Sequence, residues 1–98
     1  MPNLTTALVP ITTNDDYTID TIPGNEYAID LSGTFGSGTI TVKNSSGAAF
    51  KDTDGTTDLT ATAAKNFAVI PTGRQITLTM AGSTAASVAV EAADRGKA

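Results

Sequence analysis

The chain contains no cysteine, no histidine and no tryptophan, and the first two absences each remove a class of function. Without cysteine there are no disulfides, no thiolate metal ligands and no thiol nucleophiles. Without histidine the chain lacks the side chain that most often acts as a general base near neutral pH and as a zinc ligand. We therefore expect a protein that is not an enzyme and that uses no cofactor and no metal.

Aromatic residues are scarce as well, with two tyrosines and three phenylalanines among 98 residues. A chain of this length forms one domain and buries roughly two-thirds of its unfolded surface. Small domains with few large side chains often complete their burial against a partner. The composition therefore favours a homo-oligomer or a docked subunit.

The charge balance disfavours nucleic acid as a partner. Ten acidic and six basic residues give a net charge of −4, and the basic residues are scattered along the chain, whereas phosphate backbones need clustered lysine and arginine. No segment approaches the run of about 20 apolar residues that a membrane span requires. The N-terminus also lacks the basic and apolar regions of a signal peptide. We expect neither a nucleic-acid nor a membrane partner.

Four segments alternate apolar and polar residues with a period of two, which is typical of antiparallel strands with one buried face. These segments are Tyr27–Ser32, Thr39–Lys43, Arg74–Met80 and Ser87–Glu91. Threonine is the most frequent residue, and its β-branched side chain suits the solvated face of a sheet.

Weaker strands are predicted at Tyr17–Asp20, Ala49–Lys51 and Asn66–Ile70. The last segment also fits a helical face together with the residues before it, but it is short, apolar and closed by Pro71, which favours a strand. Turns rich in glycine, proline and asparagine separate the strands. We therefore predict an all-β fold, an antiparallel β-sandwich or small barrel of about seven or eight short strands.

The two ends differ in composition from the middle. Residues 1–14 hold two prolines and the apolar run Leu8-Val9-Pro10-Ile11, which predicts an extended N-terminal arm, with a first edge strand as an equal alternative. Residues 15–92 form the predicted sandwich domain. Residues 93–98 are polar and predict a flexible tail.

An acidic run, Asp52, Asp54 and Asp58, resembles part of a calcium-binding loop. An EF-hand loop that began at Asp52 would need glycine at its sixth position and glutamate at its twelfth, where Thr57 and Ala63 stand. Because both requirements fail, an aspartate-rich turn is favoured over a calcium site.

Several strings of residues carry a resemblance to known proteins. They are Leu31–Gly36, Gly38–Val42, Phe50–Gly55, Asn66–Pro71, Gly73, Ile76–Leu78, Gly82–Ser83 and Ser87–Val90. In order, they place a Ser-Gly-Thr-Phe-Gly turn, a Thr/Val strand, an Asp-rich turn, a Pro-x-Gly turn and a final valine strand. This pattern, over Tyr27–Ala92, resembles small β-sandwich proteins of tailed bacteriophages, the head decoration (cement) proteins and related head-fibre modules.

The resemblance implies a structural virion protein on the capsid exterior, made in the cytoplasm of the bacterial host. Such a protein binds the lattice of the major capsid protein and clamps neighbouring subunits, often as a trimer. The alternative is a carbohydrate- or cell-surface-binding module of a phage fibre or an adhesin, which would need an exposed aromatic platform.

The candidate contact residues for the capsid or for other subunits are Leu4, Leu8, Val9 and Ile11 of the arm, together with Arg74. The arm could dock by strand addition, so its removal is expected to abolish assembly and leave the domain folded. Arg74 stands at a strand start, where it either places charge on a sheet edge, the favoured interpretation, or pairs with an acid of the partner.

Overall fold

The structure is a computed structural model that describes residues 4–7, 10–52 and 54–97. Over these ranges the chain forms eight strands and no helix. The strands are β1 (Leu4–Ala7), β2 (Asp16–Asp20), β3 (Asn25–Thr34), β4 (Thr39–Asn44), β5 (Thr60–Ala61), β6 (Lys65–Val69), β7 (Gln75–Ala81) and β8 (Ser87–Lys97).

The strands form two four-stranded antiparallel sheets that pack on each other and do not close into a barrel. The first sheet has the order β1-β8-β3-β6, and the second has the order β2-β7-β4-β5. The prediction of an all-β antiparallel sandwich is therefore confirmed. Consecutive strands often lie in different sheets, so several loops cross from one layer to the other.

The core lies between the sheets and is built from the alternating positions of the strands. Its fully buried side chains include Ile29, Leu31, Ile40, Val42, Ile76, Leu78, Met80, Val88 and Val90. Burying an aliphatic side chain of this size contributes about 1.5–3 kcal/mol relative to leaving it exposed. The period-two pattern thus identified the inward faces of the main strands correctly.

The weaker strand predictions have mixed outcomes. The strand predicted at Asn66–Ile70 is confirmed as β6, with the bounds Lys65–Val69, so that Ile70 lies outside the strand. Ala49–Lys51 is not a strand, because it makes two isolated bridges, from Ala49 to Lys43 and from Lys51 to Asp58. The turn after β4 returns the chain to β4 for a single bridge, between Ala49 and Lys43. The strand that pairs with this edge of β4 is the short β5.

The described part of the expected arm belongs to the first sheet. In β1, Leu4 lies opposite Asp94 and Ala7 lies opposite Glu91. Further along, Ile11 bridges to Val88. The alternative interpretation, a first edge strand, is therefore the one that the structure shows for these residues.

The expected flexible tail from residue 93 is wrong over its described residues, because β8 runs through Lys97 and pairs with β3 as far as Asn25. The hydrogen bonds of the Asp94 side chain explain why β8 continues to Lys97. Its carboxylate accepts hydrogen bonds from the Asn25 Nδ2 at 3.2 Å, from the Tyr27 hydroxyl at 3.2 Å and from the Gly96 amide at 2.8 Å.

Candidate functional site

Two loops at one end of the sandwich are hydrogen-bonded to each other. Residues 21–24 cross from β2 to β3, and residues 70–74 cross from β6 to β7, so each loop connects the two sheets. The Thr21 amide donates to the Arg74 carbonyl at 2.8 Å, and the Gly24 amide donates to the Pro71 carbonyl at 2.9 Å. The Thr21 hydroxyl also donates to the Gly73 carbonyl at 3.0 Å. Three bonds therefore hold the loops as one unit.

The end of β4 and the turn after it, at Asn44 and Ser45, contact the loop 70–74. A Cβ atom on Gly73 would lie 1.7 Å from the Ser45 hydroxyl oxygen, so the turn after β4 packs directly on the backbone here. The Asn44 side-chain amide donates to the Thr72 hydroxyl at 2.8 Å. Close packing on Ser45 and the hydrogen bond from Asn44 hold the loop 70–74 against the end of β4.

The joined loops present two large apolar side chains to solvent. Ile22 is 57% exposed and Ile70 is 47% exposed, and these are the exposed large hydrophobic residues of the described chain. Pro23, in the loop of residues 21–24, is exposed too. The backbone of Ile22 is held in place, because its amide donates to the Tyr27 hydroxyl oxygen at 2.8 Å. We call Ile22, Pro23, Ile70 and Arg74 the platform.

Arg74 supplies the charge of the platform. Its side chain is exposed and lines a shallow open depression together with Asp20, Thr21, Ser45 and Gln75. Its guanidinium group has no ion-pair partner among the described residues. The charge is therefore available to an acidic group outside the chain.

The favoured interpretation of Arg74, charge at a sheet edge, does not fit the strand order. β7, which follows Arg74, lies inside the second sheet between β2 and β4. A residue before an interior strand does not guard a sheet edge, so the favoured interpretation is wrong. The alternative, pairing with an acid of a partner, stays a prediction.

The other predicted contact residues do not join the platform. Ile11 is fully buried in the core, so its expected role in a surface contact is wrong. Leu4 begins β1, in the first sheet. Leu8 and Val9 lie outside the described residues.

The platform isoleucines were missed in the sequence, although a signal exists. Each is followed directly by proline, in Ile22-Pro23 and Ile70-Pro71, within a segment rich in turn residues. Because proline donates no amide hydrogen bond and restricts the residue before it, such an isoleucine is poorly placed for a strand interior. An apolar residue that a turn carries instead can face solvent.

The acidic run forms a turn that is held by its own side chains. The Asp54 carboxylate accepts hydrogen bonds from the Thr57 hydroxyl and from the amides of Thr57 at 2.8 Å and Thr56 at 2.9 Å. The Thr57 hydroxyl, followed by these amides, lowers the pKa of Asp54 to about 2. The structure therefore shows the aspartate-rich turn that was favoured over a calcium loop.

The other two carboxylates of the run lie beside lysines. Asp58 contacts Lys51 at 2.6 Å, and Asp52 lies 3.4 Å from Lys65. The described residues hold no group of three or more potential metal ligands. These carboxylates form surface ion pairs in the region between β4 and β6.

The five aromatic rings all belong to described residues, and none is exposed. Tyr27 and Phe35 are buried, and Tyr17, Phe50 and Phe67 are half-buried against the core. Carbohydrate sites need a ring that a sugar can stack on. The structure offers no freely exposed ring for that purpose.

Comparison with known proteins gives no match to any family model, curated protein or solved structure. No helix in residues 4–7, 10–52 and 54–97 is long and apolar enough to cross a membrane.

Proposed function

We propose that the protein is a non-catalytic structural protein that docks on another protein through the platform. We further propose that this other protein is the major capsid protein of a bacteriophage, so that the chain decorates the exterior of the virion and binds between capsid subunits. The observation that carries the docking proposal is the exposure of Ile22 and Ile70 on two loops that hydrogen bonds hold together.

The platform has the chemistry of a docking site. Binding energy concentrates at a few apolar and arginine side chains that lose contact with water in the complex. Loops that are already ordered lose little conformational entropy on binding. Arg74, on the same pair of joined loops, adds charge specificity for an acidic group of the partner.

The identity of the partner is supported by the resemblance of the sequence strings to phage head decoration proteins. Synthesis in the bacterial cytoplasm and a place on the capsid exterior belong to this part of the proposal. The alternative, a carbohydrate- or cell-surface-binding module, has less support because the aromatic rings are buried or half-buried.

The test is co-sedimentation of the purified protein with expanded phage heads. The variant Ile22→Asp/Ile70→Asp should lose at least tenfold in affinity, since both changes place a charge at the apolar centre of the contact. The matched control is Thr18→Asp/Ala89→Asp, which adds the same charge at two exposed positions on the sheets. This control should bind like the wild type.

The two parts of the proposal fail in different ways. Absence of wild-type binding to any heads overturns the capsid assignment. Wild-type binding that the isoleucine variant retains in full overturns the role of the platform. A glycan array with a specific signal would favour the alternative function.

A further inference from the structure

One edge of the first sheet is open for strand pairing. β6 (Lys65–Val69) pairs with β3 on one side, and no strand of the described chain lies on its other side. An unpaired edge presents a row of backbone donors and acceptors that can add a strand from another chain. Natural proteins therefore guard such edges with charge, proline or short length.

The other three edge strands are guarded. β5 is two residues long, which is too short for a stable ladder. β2 carries an exposed aspartate at each end, Asp16 and Asp20. β1 is four residues long and stands between Pro2 and Pro10 in the sequence, and proline cannot donate to a ladder.

β6 lacks comparable protection. Its one charged residue is Lys65, and the Lys65 ammonium is drawn back onto its own chain by the Thr60 carbonyl at 3.1 Å and by Asp52 at 3.4 Å. The remaining four residues, Asn66–Val69, are neutral. Along this edge nothing repels a strand of the same sequence.

Charge decides between self-pairing at β2 and at β6. Two antiparallel copies of β2 related by a two-fold axis through Thr18 would place Asp16 opposite Asp20 of the second copy. Like charges directly opposite each other destabilise a strand pair.

Self-pairing at β6 creates no such conflict. A two-fold axis through Phe67 places Phe67 opposite its own equivalent and Asn66 opposite Ala68 of the second copy. Lys65 then faces Val69. Directly opposed aromatic side chains stabilise antiparallel pairs, so the register that avoids like charges also pairs the two rings.

The surroundings of Phe67 fit this arrangement. Its ring is half-buried, on the inward side of β6 opposite Ile29. It lines an open groove between the sheets together with Leu59 and Lys51. A second β6 strand along this edge would cover the groove and remove the ring from water.

We propose that β6 pairs antiparallel with β6 of a second copy, so that the two first sheets join into one eight-stranded sheet across a homodimer. This proposal does not rest on the capsid function. Because the contact uses the same surface on both partners, it closes with two copies. It therefore predicts a dimer in solution, in contrast to the trimer that the phage resemblance implies.

The test is the mass of the full chain by light scattering, measured as a function of concentration. We expect twice the 9.9 kDa of one chain at high concentration. Amide hydrogen exchange gives a second readout that needs no variant. The amides of β6 should gain protection as concentration rises, whereas those of the β2 edge should not.

The matched variants separate this edge from general charge effects. Asn66→Lys/Ala68→Lys adds two charges that would meet across the two-fold axis, and it should shift the dimer to monomer. Thr18→Lys/Gln75→Lys adds the same charge at exposed positions of the second sheet and should leave the dimer intact. A monomer or a trimer up to about 1 mM, a range that covers weak dimers, overturns the proposal. A dimer that persists in Asn66→Lys/Ala68→Lys, or equal exchange at both edges, overturns it as well.

Discussion

Ile11 and Val88 exchange two backbone hydrogen bonds, from the Ile11 amide to the Val88 carbonyl at 2.9 Å and from the Val88 amide to the Ile11 carbonyl at 3.0 Å. Both side chains are fully buried in the core. The segment before β2 is thus a structural part of the sandwich, and its proposed role as a detachable docking arm does not agree with this pairing.

Removal of residues 1–14 should therefore destabilise the domain instead of leaving it folded. The change Ile11→Ala alone should cost about 2–5 kcal/mol of unfolding free energy, because it leaves a cavity in the core. Urea denaturation followed by circular dichroism measures both effects. Thr12→Ala is the control, since this neighbouring side chain is exposed and should change stability by less than about 0.5 kcal/mol. A truncated chain with wild-type stability would contradict the prediction.

The hydrogen bond from the Thr21 hydroxyl to the Gly73 carbonyl, which joins the two platform loops, should contribute measurably to the unfolding free energy. Thr21 is 7% exposed, and its replacement by valine keeps the shape but leaves the Gly73 carbonyl without this donor. We expect Thr21→Val to lower the unfolding free energy by about 1–3 kcal/mol. The control Thr18→Val lies on the exposed face of β2. Equal urea midpoints for the two variants would show that the bond adds no stability.

The sequence predicted what depends on local pattern. Ile40 and Val42, like Ile76 and Leu78, face inward as their alternation indicates, because neighbours in a strand point to opposite faces wherever the strand lies. Strand order is different, since it depends on contacts between distant segments. The role of Arg74 was misjudged for this reason: only the placement of β7 between β2 and β4 shows that it marks no edge.

The end of β8 also depends on contacts between distant segments, which the local sequence pattern does not predict. Residues Ala93–Lys97 are polar and predicted a loose tail, yet they pair with β3 because Asp94 meets Asn25 and Tyr27, which lie nearly 70 residues earlier. The composition of a segment does not predict a contact with residues so far away in the sequence. The exposure of Ile22 and Ile70 is equally non-local, since it follows from the way two loops cross between sheets.

Two glycines at positive φ should respond differently to alanine. Gly36 has φ +58°, and a Cβ there would lie 2.2 Å from the Thr84 carbonyl oxygen, whereas Gly55 has φ +75° and open space around it. Both replacements strain the backbone, but only Gly36→Ala adds a clash with another backbone segment. Gly36→Ala should cost about 1–3 kcal/mol more than Gly55→Ala. Thermal denaturation compares them, and equal melting temperatures would refute the steric explanation.

Acid should weaken the fold through Asp94. The Gly96 amide, with smaller contributions from Asn25 and Tyr27, holds the pKa of Asp94 below its ordinary value of 3.8. Because the folded state stabilises the carboxylate, this contribution to stability is fully present above the pKa of the unfolded chain. It is lost as pH falls through the lower pKa of the folded state.

Asp94→Asn should therefore lower the urea midpoint at pH 7 and have a smaller effect at pH 2.5, because this pH lies below the ordinary pKa of 3.8 and the stabilisation by the carboxylate is already reduced there. Asp54 has the same sign, with a folded-state pKa of about 2, so its contribution persists to lower pH than that of a carboxylate with a smaller shift. Asp20→Asn is the control, because this exposed side chain makes no hydrogen bond within the described chain. If Asp94→Asn and the control lose the same stability at both pH values, the hydrogen bonds of Asp94 do not make the unfolding free energy depend on its protonation.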